Sequence, residues 1–266
     1  MADLGVFGDV HVSVDDQYVA TVEVRRPPNN FFSLTLIESL GEAFRAVDAE
    51  PDARVVLLCS AGKHFCAGAD FSSDGGSIDA EMRNADGSPR HLYDAAFDLF
   101  ATRTPAVAAV QGAAIGGGLG LACFADFRVA APEARFSANF ARLGFHHGFG
   151  LSATLPPLVG QQRALELLYT GRRVDGDTAH AIGLADRLVP LDGLRAAAHG
   201  LAAEIAGSAP LAVASIRQTM RGDLAAKVKA ATDREKHEQD WLRRTDDWRE
   251  GVTAMAERRP PHFTGS

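Results

Sequence analysis

Between residues 104 and 125 the chain carries no charged side chain. An uncharged run of this length either crosses a bilayer or lies in the middle of a protein core. Pro105, Gln111 and five glycines dilute its hydrophobicity, which favours the core. The run reads as a strand over 106–111, a glycine-rich bend and the start of a helix, buried as one unit. No membrane is expected as a partner.

A strand passing directly into a helix points to an α/β chain, and the flanking sequence repeats that layout. Residues 18–24 (YVATVEV) alternate as a strand does, and RPPNN over 26–30 forces a turn, because proline continues neither a ladder nor a helix. Apolar Leu36, Ile37, Leu40, Phe44 and Val47 recur at helical spacing, with Thr35 and Glu38 as a capping pair. The segment 54–60 (RVVLLCS) is a short apolar run suited to a strand covered on both faces. A helix near 91–102 precedes the uncharged run. Beyond Val189 strands are scarce, and 192–258 reads as several helices. The charge run in the last of them reads mostly as a solvated face, and Trp241 and Trp248, seven apart, mark a packed stripe or a subunit contact.

With 266 residues, 46% of them hydrophobic, the chain suffices for one large core or a core with a small appendage. Its 27 basic and 34 acidic residues leave a net charge of −7, so no positive field exists to hold nucleic acid. Cys59, Cys66 and Cys123 are odd in number and lack metal-ligand spacing, which fits buried thiols in a reducing compartment and no metal. The first residues, MADLGVFGDVHVSVDD, have neither the basic start nor the apolar core of a signal peptide, so the expected location is cytoplasmic.

Two segments are placed to carry chemistry: KHFCAGAD over 63–70 and QGAAIGGGLG over 111–120. Each follows an apolar strand and puts small residues where the chain turns. Such a turn exposes backbone N–H groups, and small side chains let another molecule approach them at the positive end of a helix dipole. Two turns facing one another would hold a carbonyl oxygen and stabilise negative charge developing on it. Taken singly, a triple glycine is equally a packing device. A dinucleotide fingerprint fails because position 121 is leucine, and a phosphate loop fails because no GK[ST] follows.

Together with RPPNNFFSL, KHFCAGADF, VQGAAIGGGLGLA, CFADFRVAA, LGFHHGFGLSATLPPLVG, YTGRRV, GLADRLV and EGVTAMAERRPPHF, these segments make the chain resemble the enoyl-CoA hydratase/isomerase (crotonase) superfamily along nearly its whole length. The resemblance implies an α/β fold: a spiral of ββα repeats over 1–190 carrying an acyl-CoA site, and a helical C-terminal region over 191–266 for packing and oligomerisation, assembled as trimers or dimers of trimers. It implies a coenzyme A thioester substrate and no separate cofactor. The amides that bind the thioester oxygen would be those of Ala69 and Gly117, with Asn30, Ala67, Gly68, Asp70, Phe71 and Gly116 along the substrate path. Asp70 equally suits a cap of the following turn.

The chain departs from the family where hydratases carry two glutamates. The matching positions are Gly120 and Phe140, and neither residue can exchange a proton. Standard hydration is therefore not expected, and Phe140 suggests an acyl group packed where water was held. Isomerisation, decarboxylation or carbon–carbon hydrolysis become the candidate reactions. Methylmalonyl-CoA decarboxylases place a tyrosine at the position aligned with His147, and several isomerases and hydrolases an aspartate at that of Gly148. His146 and His147 are thus the proton-transfer candidates, since imidazole titrates near neutral pH. The competing assignment has one histidine bonded to backbone and the other at a subunit contact. His64 reads as a surface residue. The polar segment 72–90 reads as a loop closing over substrate or a surface insertion. Gly150-Leu-Ser152 begins like a nucleophile elbow but lacks its second glycine. Loss of both glutamates also admits a non-catalytic acyl-CoA-binding carrier or regulatory protein.

Overall fold

Strand character follows burial. The computed structural model describes residues 2–70, 82–83, 89–90 and 92–266. In chain order the strands are β1 (Ala2–Phe7), β2 (Val10–Val14), β3 (Val19–Val24), β4 (Val55–Ser60), β5 (Met82–Arg83), β6 (Pro89–Arg90), β7 (Ala106–Val110), β8 (Ala113–Ile115), β9 (Phe127–Ala130), β10 (Arg135–Ser137), β11 (Val174–Asp175) and β12 (Arg187–Leu188). The helices are α1 (Leu34–Ala49), α2 (Leu92–Phe100), α3 (Gly117–Phe124), α4 (Leu151–Val159), α5 (Gln161–Thr170), α6 (Gly176–Ala181), α7 (Leu194–Ala206), α8 (Pro210–Arg221), α9 (Leu224–Leu242) and α10 (Asp246–Glu257). Phe71, His91 and most of the polar segment 72–90 lie outside the described residues.

The larger sheet has the order β1-β2-β3-β4-β7-β9-β12, antiparallel from β1 to β3 and parallel from β3 onward. Strand β2 alternates buried valines with half-buried His11 and Ser13, as a sheet covered on one face requires. Strands β4 and β7 are buried at every position. Val55, Leu57 and Cys59 meet α7 through Leu194, Ala198 and Leu201, whereas Val56 and Leu58 join the main core with α1. The uncharged run 104–125 is the centre of this arrangement, with Val107, Ala109 and Ala108 fully buried. No helix among the described residues is long and apolar enough to cross a membrane.

A smaller sheet, β11-β10-β8, receives the second strand of successive units. Strand β7 lies in the large sheet and β8 in the small one, and β9 and β10 repeat that division. Isolated parallel bridges Cys66↔Ala114 and Phe32↔Ala69 carry the small sheet back to earlier units. Each unit is then closed by a helix, giving the spiral of ββα repeats. Helix α1 buries Leu36, Ile37, Leu40, Phe44 and Val47, and each such side chain stabilises by about 1.5–3 kcal/mol. Its cap is Ser33, whose Oγ accepts from Leu36 N at 3.2 Å, rather than the Thr35–Glu38 pair. The extended backbone of Ser33 (φ −148°, ψ 162°) begins the helix two residues earlier than that pair would. After β12 the chain is helical: α7 covers the large sheet, and α9 lies on α2 and α4.

Candidate active site

The strand exits at β4 and β8 are locked side by side by backbone alone. Phe65 N donates to Gln111 O (2.8 Å), Cys66 N to Ala113 O (2.9 Å) and Ile115 N to Cys66 O (3.0 Å). A β-carbon at position 118 would overlap Cys66 O, so only glycine lets α3 start this close to the first turn. Phe32 N donates to Gly68 O at 2.9 Å while Phe32 bridges Ala69 in parallel. In that pattern the flanking residues make the ladder bonds, and the amide of Ala69 itself points away from Phe32. Gly116, at φ 57°, caps α3, which makes Gly117 the first helical residue. Its N–H has no acceptor one turn back and sits at the positive end of the helix dipole. Ala69 and Gly117 line one cavity of about 610 Å³, together with Phe32, Ala67, Gly68 and Gly116.

Aromatic rings close the cavity opposite these turns. Phe140, Phe145 and Phe149 line it and are buried. Phe149 holds a left-handed backbone (φ 57°), rare for a bulky residue, and its ring meets Phe32 edge-on at 4.9 Å. The same ring fills the space a side chain at 120 would need, since a β-carbon there would stand 2.7 Å from Phe149 Cδ1. Phe140 packs on Phe145 at 5.4 Å, and Phe145 on Trp248 at 4.7 Å. Trp241 is half exposed and bonds Glu238.

His146 and His147 are not among the described residues lining the cavity. Their rings stack at 4.1 Å. His146 Nδ1 donates to His147 O at 2.7 Å. Ser152 Oγ donates to Glu235 Oε1 at 2.7 Å, so it accepts from His147 Nε2, also at 2.7 Å. Burial first, and His146 second, push the His147 imidazole down to about 3, which keeps it neutral at physiological pH. Glu235, from α9, is fully buried and also accepts from Gly150 N (2.9 Å) and Ser152 N (3.1 Å), capping α4 from a distance. Its carboxyl is raised by burial, against those three hydrogen bonds. The histidines thus belong to an internal network rather than to the cavity surface. Glu235 is the one buried charged residue in a C-terminal charge run whose other charged members reach solvent.

Asn30 is likewise structural. It is fully buried with φ 48°, its Nδ2 donates to Ala61 O (2.8 Å) and His64 O (2.6 Å), and its Oδ1 accepts from Arg26 N (2.9 Å). It pins the 61–64 turn and does not line the cavity. Asp70 is half-buried and stands outside the described lining. His64, read as a surface residue, does line the cavity, and its Nδ1 accepts from Ala113 N at 3.0 Å. Lys63, Arg135 and Arg173 line it as well. All three cysteines are buried free thiols; burial pushes Cys59 and Cys66 up to about 12 and Cys123 to about 11.

The sequence model described as enoyl-CoA hydratase/isomerase matches residues 15–266. The chain belongs to the enoyl-CoA hydratase/isomerase family. A probable enoyl-CoA hydratase of Mycobacterium leprae is 34% identical over 93% of this chain and 96% of its own length. Another, from Mycobacterium bovis, is 36% identical over 92% and 89%. A crystal structure of an enoyl-CoA hydratase/isomerase from Pseudoalteromonas atlantica superposes with a TM-score of 0.85 at 30% identity, covering 96% of this chain and all (100%) of that one.

Within this family member the cavity has a third group of lining residues that the sequence reading missed: Tyr93 on α2, and Gln239 and Arg243 at the end of α9. A β-carbon at 148 would collide with Tyr93 Oη and lie 2.8 Å from Gln239 Nε2, so no larger side chain has room there. A signal for the α9 residues does exist. Glu235, Gln239 and Arg243 recur every four positions and continue the buried stripe of Val228 and Thr232.

Proposed function

We propose that this enzyme of the enoyl-CoA hydratase/isomerase family binds an acyl-CoA thioester and polarises its carbonyl oxygen between the amides of Ala69 and Gly117. The observation that carries the reading is the pair of backbone-locked turns presenting both residues to one cavity. Two amides converging on the oxygen stabilise an enolate-like state, and one donor of this kind is worth about 10²–10³ in rate. Ala67, Gly68 and Gly116 flank the thioester, and Phe140 packs the acyl group. Coenzyme A enters as part of the substrate, with no separate cofactor.

Hydration by two carboxylates does not suit this cavity, because Phe149 occupies the space beside Gly120 and Phe140 is apolar. Isomerisation, decarboxylation and carbon–carbon hydrolysis share the enolate and remain the proposed reactions. His146 and His147 do not line the cavity, so no step in these reactions is assigned to them here. Helix α8 supports self-assembly as a homotrimer or dimer of trimers, since Leu211 (85% exposed), Ile216 (63%) and Met220 (76%) face solvent in this single chain. A cytoplasmic setting suits three buried free thiols.

Calorimetric binding of acyl-CoA, followed by turnover of crotonyl-CoA and of a malonyl-type thioester, tests the reading. Turnover of the malonyl-type thioester with slow or no hydration supports it. Rapid hydration of crotonyl-CoA refutes the exclusion of hydratase chemistry. Binding without turnover of either identifies a carrier or regulatory protein, the outcome that the lost glutamates would then explain. No binding removes the acyl-CoA reading altogether.

A further inference from the structure

Helix α3 carries the Gly117 amide at one end, and its other end is held from outside the cavity. Residues 117, 118 and 120 are glycine, so in the half of the helix that presents the amide only Leu119 has a side chain to fix its place along the axis. These glycines lie against Phe32, Cys66 and Phe149 with no room for a β-carbon. A face of this kind packs closely but interlocks with little. The helix is eight residues long, about 12 Å of rise, and a hydrogen-bonded rod of that length passes a shift at its end on to its start.

At the C-terminal end the last carbonyls have no partner within the helix, and Phe124 and Ala125 are buried, which leaves them to protein donors. Two guanidinium groups serve them. Arg221, from α8, donates through Nη2 to Phe124 O, and Arg128, from β9, through Nη1 to Ala125 O, each at 2.9 Å. Cations at this end also complement the helix dipole. Arg128 is fixed in the core, where it bonds Leu184 O and Asp186 Oδ2 at 2.8 Å each. Arg221 arrives from a helix that buries none of its own residues. Its place is set by Asp126, which accepts from Ala106 N at 2.8 Å and pairs with both Arg221 Nη1 and Arg217 Nε, the latter at 3.1 Å. Arg217 also donates to Thr102 O (2.9 Å) and Arg103 O (3.2 Å), tying α8 to the core. Asp126, Arg217 and Arg221 all stand outside the cavity lining. The Phe124 ring, edge-on to Phe44 and Phe100 at 5.1 and 5.3 Å, anchors the same end by its side chain, so the helix keeps its fold when the guanidinium is lost.

We propose that Arg221, held by Asp126 and Arg217, is a positioning residue for the thioester reaction: by fixing the end of α3 it sets where the Gly117 amide stands against the carbonyl oxygen. The inference rests on the acyl-CoA reading above and adds a determinant at the far end of the helix. Stabilisation of an oxyanion depends on aim, and a misplacement of about 1 Å is enough to cost about 10²-fold in rate. Loss of Arg221 should then weaken polarisation of the carbonyl while the groups that bind the rest of the thioester stay in place.

Infrared spectra of bound butyryl-CoA, isotope-labelled at the carbonyl, read that aim directly, because hydrogen bonds to the oxygen lower the stretching frequency. In wild type the band should lie below that of free butyryl-CoA. Arg221→Met should return it part of the way and lower kcat for whichever thioester is turned over by about ten- to hundredfold, with butyryl-CoA affinity close to wild type. Arg221→Lys keeps a cation and should fall between. Arg217→Met loosens α8 but leaves the bond to Phe124 O, so it should move the band less. An unmoved band in folded Arg221→Met overturns the proposal. Equal shifts in Arg221→Met and Arg217→Met also overturn it, since the effect would then belong to α8 as a whole. Should Arg221→Met fail to fold, Arg221→Lys and Asp126→Asn decide, and a band unmoved in both overturns the assignment. If no thioester is turned over, the band decides alone. A wild-type band that matches free butyryl-CoA, or a failure to bind it, overturns the parent reading instead.

Discussion

The turns at 66–69 and 115–117 and the bend at 144–150 face the same cavity and are all rich in glycine, yet they use it in opposite ways. In the turns, missing side chains expose the backbone, and the strand ladder fixes where each amide points. In the bend, glycines let the chain reverse so that Phe145 and Phe149 enter the cavity, while His147 and Ser152 turn inward to Glu235. The placement of the backbone amides is set by local sequence, because a strand followed by small residues has few alternatives. Where side chains line the cavity, their placement depends on partners far away in the chain, here α2 and α9.

Removing one amide should have the largest effect. Gly117→Pro deletes the N–H, and proline suits the first position of a helix. Gly117→Ala keeps the N–H but brings the same crowding against Phe32, since any β-carbon there lies 2.7 Å from the ring. Turnover of whichever thioester the paired assays identify should be lower in the Pro variant than in the Ala variant by about 10²–10³. Equal rates would mean that the amide is idle and that both glycine-rich regions serve packing alone.

Stability should respond most at the bend. Glu235→Ala strips the acceptor from Gly150 N, Ser152 N and Ser152 Oγ in a fully buried place. We expect a loss of about 3 kcal/mol in denaturant unfolding, and roughly half of that for Glu235→Gln, which retains one carbonyl oxygen. A loss below about 1 kcal/mol would show that the bend holds its shape without α9. Asn30→Ala comes next at about 2 kcal/mol, for three side-chain hydrogen bonds lost at a left-handed backbone. Thioester affinity should stay unchanged in that variant. A weakened affinity would return Asn30 to the ligand path.

How far the sequence could be read follows the same division. Strands over 18–24, 54–60 and 106–111 and the helix from 34 were legible because their apolar periods are strong, and they appear within a residue or two. The short strand β8 was not, since three residues among glycines carry no period. Ala69 and Gly117 could be singled out from small residues after strands, whereas the orientation of His146 and His147 could not. Adjacent rings diverge or stack according to what lies beneath them, and beneath these lies Glu235, far along the chain. Tyr93 sits on a helix whose other buried residues are apolar, so nothing in its spacing separates it from core. Arg243 was masked by the surrounding charge run, although its four-residue step from Gln239 was visible.

The smallest effect concerns pH and bears directly on whether the bend is sealed. His147 is held at about 3 in the folded chain against an ordinary 6.5. Between those values the unfolded chain binds a proton that the folded chain refuses, so stability falls as the pH drops through this window, by up to about 1.4 kcal/mol per pH unit. Glu235 acts with the opposite sign. Its raised carboxyl keeps a proton that the unfolded chain gives up, so acid relieves part of its burial cost just above its ordinary 4.5. Wild type alone would mix the two, but His147→Gln retains an N–H for Ser152 and removes only the imidazole. The stability difference between wild type and variant should therefore shrink by about 1 kcal/mol per unit from pH 6.5 to 5. A flat difference would mean that the imidazole takes up protons in the folded state. The bend would then be open to solvent, and His147 would regain its standing as an acid or base.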